Sequence, residues 1–106
     1  MDPEAASEVL RLLSERREDV VAERTRALDR LHGPLRDLVP GGVDRTLSAD
    51  RTARLLRGIR PQGTSARLRR RLASEVVCDI RTLDRKIADL NGRIEAEVEA
   101  SGTTLT

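Results

Sequence analysis

Residues 65–101 read SARLRRRLASEVVCDIRTLDRKIADLNGRIEAEVEAS, and the apolar spacing in this stretch decides the fold. Ala73, Ile80, Ile87 and Ile94 lie seven apart, and so do Val76, Leu83 and Leu90. These are the a and d positions of a heptad repeat, with isoleucine at a and leucine at d, the pairing that favours two strands. At about 1.5 Å per residue a helix of this length spans on the order of 50 Å. The rest of so short a chain covers it only if another long helix lies alongside.

Working back towards the amino terminus, Pro61-Gln62-Gly63 reads as a turn, with Thr64 or Ser65 capping the long helix. The turn is expected at 61–64. Before it, Ser48 is placed as an N-cap with Asp50 in the first turn, opening a short basic helix over 48–60 that carries Ala53, Leu56 and Ile59 on one face. Pro40-Gly41-Gly42 closes the preceding segment and starts a loop over 40–47. The first long helix is expected over 1–39, with Asp2 as cap and Pro3 at the first helical position. Its stripe is Leu10, Leu13, Val20, Ala27 and Leu31, with Arg17 and Arg24 in the same line. Those two arginines are expected to snorkel outward or to meet acids such as Glu18 and Glu23 on a partner. Gly33-Pro34 is expected to kink or end this helix, because proline cannot bond the carbonyl of Arg30. Gly102 stops the last helix, and 102–106 trail off.

The expected fold is therefore all-α and a single domain: two long helices in an antiparallel or intermolecular coiled coil, with the short basic helix between them. Composition agrees. Phe, Trp and Tyr are absent and 36% of residues are charged, which suits a helical seam of Leu, Val, Ile and Ala better than a compact globule. The amino-terminal residues are acidic and no stretch approaches the roughly 20 apolar residues of a membrane span. A cytoplasmic chain with no membrane partner is expected.

The net charge of +2 hides three blocks. Residues 1–50 hold 8 Arg against 11 acids, residues 51–71 hold 8 Arg and no acid, and residues 72–106 hold 4 basic against 7 acidic side chains. The middle block comprises Arg51, Arg54, Arg57 and Arg60, then Arg67 and Arg69, Arg70 and Arg71. Arginine forks grip phosphate bidentately, so this block is a candidate nucleic-acid contact of low sequence preference and steep salt dependence. The alternative is that the arginines pair with the acidic flanks.

No chemistry is legible elsewhere. The single Cys78 and single His32 make no metal set. Glu15, Asp19 and Glu23 share a helix face among arginines and read as a solvated surface. There is no nucleophile elbow and no phosphate loop. No catalytic residue, metal site or cofactor is expected in this chain.

Three strings carry a family likeness: RTRALDRLHGPLRDLVPGG, LSADRTARLLRGIRP and DIRTLDRKIADLNGRIEAEVEASGTTLT. They resemble, in order and spacing, the DEDD-type insertion-sequence transposases, recombinases guided by a bridge RNA. LVPGG and the terminal SGTTLT are the most specific pieces. The resemblance implies the helical connector between an amino-terminal ribonuclease-H-like domain, which holds an acidic metal-binding tetrad, and a carboxy-terminal domain with an attacking serine. No residue here matches either motif, and Ser101 is not that nucleophile. Gly33-Pro34 departs from the unbroken helix the resemblance implies. The implied partners are DNA, a guide RNA, a second copy of the chain or the full-length transposase. From the residues alone, a freestanding dimeric DNA-binding regulator of helix-turn-helix type over 48–72 is the other reading.

Overall fold

A computed structural model of the chain describes residues 3–39 and 48–102. It is all-α: α1 covers Pro3–Leu38, α2 Ala49–Gly58 and α3 Gly63–Gly102, with no strand among the described residues. The Asp2 cap, the loop at 40–47 and the tail from 103 lie outside the described residues. None of the helices is long and apolar enough to cross a membrane.

The helical assignment of α1 passes through Gly33-Pro34 to Leu38. The helix therefore does not end at the proline. Buried Leu35, and a bond from the Val39 amide to the Leu35 carbonyl at 2.9 Å, continue the last turn beyond it. α3 starts earlier than the expected turn at 61–64 allows. Gly63 opens it at φ +88°, a left-handed conformation that costs glycine nothing for want of a Cβ. The chain swings directly from Pro61 into helix, so Thr64 and Ser65 are helical residues and not caps. Gly102 is the last helical residue.

α2 is held locally by its cap. Ser48 sits in extended backbone, and its hydroxyl accepts from the Arg51 amide at 3.2 Å. At the other end the Ile59 amide donates to the Leu56 carbonyl at 3.3 Å, and Pro61 keeps Arg60 out of helical conformation. The expected stripe of Ala53, Leu56 and Ile59 is displaced: the buried residues are Ala49, Thr52 and Leu56. Ile59 lies past the last turn, which moves the contact face back by one. Thr52 is fully buried yet satisfied, its hydroxyl donating to the Ser48 carbonyl at 2.8 Å. Ser48→Ala is expected to remove about 1 kcal/mol of stability, read as a lower denaturation midpoint at unchanged slope. A midpoint equal to wild type would mean that the cap contributes nothing in solution.

The chain forms two compact units. One joins α1 through Glu23 with α3 from Leu83 onward. Here Leu13 and Val20 of α1 and Leu83 and Leu90 of α3 are buried, while the expected seam residues Ile87 and Ile94 are only half-buried. Within the chain Arg17 turns to α3, where its Nε donates to Asn91 Oδ1 at 2.6 Å. An amide accepts this bond without bringing a second charge into a half-buried site, which is cheaper than burying an ion pair. On the exposed side of α1, Arg11 bonds Glu8, and Glu15 at 2.6 Å. Hydrogen bonding and charge from Arg11 hold the Glu8 carboxyl below the usual carboxylate range, and the two acids raise the Arg11 guanidinium. Whatever Glu8 adds to stability is present above the ordinary carboxylate range and fades as pH falls through its lowered value.

The other unit is Arg24–Thr82. Its core is Ala27, Leu31 and Leu35 of α1, Ala49 and Leu56 of α2, and Ala73, Val77 and Ile80 of α3. The heptad reading chose Val76, which is half-buried, over Val77, which is 2% exposed. Three helices meet in this unit, so the buried stripe of α3 is wider than a two-stranded seam and turns towards α2.

Candidate nucleic-acid interface

All eight arginines of the basic block lie in this second unit, on α2, on the turn after it and on the first three turns of α3. Helical geometry explains their exposure on α2. At about 100° per residue, Arg51 and Arg54 fall on the side opposite Ala49, Thr52 and Leu56, while Arg57 lies on a flank, and all three are exposed. Arg60 is exposed on the turn. On α3 the arginines divide by the angle each makes with the buried stripe. Arg67 and Arg71 point away from it, whereas Arg69 and Arg70 sit at its two edges.

Each edge meets a different helix. Arg69 Nε lies 3.3 Å from Asp37 Oδ2 of α1. Arg71 Nε lies 3.7 Å from Glu75 Oε1, one turn along its own helix. Part of the block therefore pairs within the chain, Arg69 and Arg71 each with an acid of a flanking segment. Arg51, Arg54, Arg57, Arg60, Arg67 and Arg70 have no carboxylate within ion-pair distance among the described residues. Both pairs are largely exposed, so each is worth at most about 1 kcal/mol and yields readily to a better anion.

Arg70, half-buried at the other edge, faces α2. There a cleft of about 260 Å³ opens between the helices, with Arg57, Arg70 and Arg81 on its walls and Ala53, Leu56 and Val77 lining it too. Arg81 lies outside the basic block and was not a sequence candidate. It stands ten residues beyond Arg71, and only the packing of α3 on α2 brings it to the same cleft as Arg57. Its Nη2 also bonds Asp50 Oδ1 at 3.0 Å. Cys78, exposed, and Ser74 lie at the same cleft. No group of three or more His, Cys, Asp or Glu among the described residues is placed to hold a metal ion. The hydroxyl of Ser101 donates to the Glu97 carbonyl at 2.8 Å, a local helical bond.

Fold and surface together define a class: an all-α chain with a basic face built from a short capped helix and the start of a long one. The chain matches no family model, no curated protein and no solved structure.

Proposed function

We propose that the chain is a helical connector of a DEDD-type insertion-sequence transposase, contributing nucleic-acid contact and self-association and no catalytic step of its own. The observation that carries the nucleic-acid part is the set of six arginines with no carboxylate partner among the described residues, gathered on one unit around α2 and the start of α3. A surface of this kind binds through the phosphate backbone and releases counterions. The family part rests on the three quoted strings and on their fit to an all-α chain with two long helices. For self-association the support is incomplete cover in the first unit, where Leu12 and Val98 are about half exposed and Ile87 and Ile94 are half-buried.

Binding to duplex DNA and single-stranded RNA, followed by fluorescence anisotropy through a salt titration, tests the contact. Comparable affinity for both and steep release with salt are expected; no binding at low salt sinks the reading. Asp37→Asn removes the acid that occupies Arg69 and should tighten binding, with the salt exponent more negative by about 0.9. An unchanged exponent would mean that Arg69 does not reach the nucleic acid. The family assignment is tested by the DNA flanking the reading frame, where codons for an acidic tetrad upstream and a serine domain downstream are expected. Light scattering at tens of micromolar tests self-association, and monomer alone would remove that part.

A second reading has one observation in its favour. α2 and α3 are separated by four residues, 59–62, a turn length used in helix-turn-helix DNA-binding proteins. A regulator of that kind would prefer one duplex sequence at moderate salt. The start of α3 offers arginines that can read guanine but no Asn or Gln to read adenine.

A further inference from the structure

We infer that the first turns of α3 dock on the last turns of α3 in a second copy of the chain, basic patch against acidic patch. The inference rests on the self-association part of the reading above and names its surfaces; it does not need the family assignment. Charge divides between the two units. Residues 24–82 hold 14 basic against 6 acidic side chains, whereas residues 1–23 and 83–106 hold 6 basic against 12 acidic. Copies that met through like units would set one sign of charge against itself, while unlike units attract.

The two ends of α3 carry one pattern in opposite charge. Residues 63–72 include four arginines and no acid, and residues 94–102 include Glu95, Glu97 and Glu99 and no base. Positions four apart share a helix face. At the start, Arg67 and Arg71 are four apart and exposed; Leu68 stands between them, 54% exposed, and Leu72 one turn on is 43% exposed. At the end, Glu95 and Glu99 are four apart and exposed, with Val98 between them 51% exposed. None of the three glutamates has a cation within ion-pair distance among the described residues. Arg67 has no carboxylate there either, and the Arg71 pair with Glu75 is exposed and long at 3.7 Å, so it exchanges readily. The leucines select the occupant. A phosphate backbone satisfies Arg67 and Arg71 but leaves Leu68 and Leu72 in water. An apolar side chain flanked by carboxylates covers both needs, and Val98 with Glu95 and Glu99 is such a surface. Apolar burial then supplies attraction, and charge sets which patches meet.

Sedimentation velocity of the full chain tests this between about 0.1 M and about 1 M sodium chloride, over which the screening length falls from about 10 Å to about 3 Å. Association at the lower salt and its loss at the higher are expected. Glu95→Arg with Glu99→Arg makes both patches basic, and Arg67→Glu with Arg71→Glu makes both acidic. Each double variant alone should self-associate at least about a hundredfold more weakly than wild type at the lower salt. All four residues are exposed, so helical circular dichroism should be unchanged. Mixed one to one, the two variants should associate again, because each offers the patch that the other has lost. A mixture that stays as dissociated as its components overturns the inference, and so does a double variant that associates as wild type does. Wild-type association that holds at the higher salt also overturns it, while leaving self-association through an apolar seam in place. Monomer alone at both salts removes self-association itself, and this inference with it.

Discussion

Replacing Arg51, Arg54, Arg57 and Arg70 together with Ala is expected to weaken duplex binding by on the order of a thousandfold at about 0.1 M salt. The size follows from counterion release. Each phosphate neutralised on B-DNA contributes about −0.9 to the slope of log affinity against log salt, so six unpaired arginines imply a slope near −5. Removing four leaves Arg60 and Arg67 and a slope near −2. The two lines converge at about 1 M salt, where the release term vanishes, and separate by three to four powers of ten at one-tenth of that. The four arginines project from exposed or half-buried positions and hold no side-chain partner among the described residues, so the variant should keep its helical circular dichroism. A quadruple variant with wild-type affinity and slope would remove the basic face from function, and both nucleic-acid readings with it.

Ile80→Ala is expected to cost about 2–5 kcal/mol and to lower the melting temperature by more than about 10 °C. Ile80 is fully buried in the second unit, where the buried hydrophobic side chains are all aliphatic. Twelve hydrophobic residues are buried among the described residues, and total stabilities run to about 5–15 kcal/mol. One cavity at this point therefore removes a large fraction of the whole. Leu68→Ala is the control: Leu68 is 54% exposed on the same helix, and truncation there should change stability by less than about 0.5 kcal/mol. Thermal melts followed by circular dichroism separate the two. Equal losses, large or small, would mean that α3 does not turn its Ile80 face inward.

The helices were legible because their causes are local. The heptad spacing through Ile80, Leu83 and Leu90, the Ser48 cap and the Pro61 stop each act within one or two turns of chain, and these features lie where the sequence places them. The start of α3 was less legible. Capping by Thr64 or Ser65 and a positive φ at Gly63 are both compatible with the same residues, and only the approach of the chain from α2 separates them. The same holds for Val76 and Val77, two adjacent valines of which the second becomes core because α2 packs on its side of α3.

The site follows the same division. Sequence alone determined that eight arginines without an intervening acid lie in one block and that α2 turns three of them outward, since charge and helical angle are properties of the residues and their spacing. Tertiary structure alone decided that Asp37 takes Arg69, that Arg70 turns to α2, and that Arg81 joins Arg57 at a cleft. Those pairings join residues 13 to 32 positions apart, and their distances depend on which helix lies against which edge of α3, a choice made by burying the aliphatic stripes of all three helices and not by any local preference of the arginines.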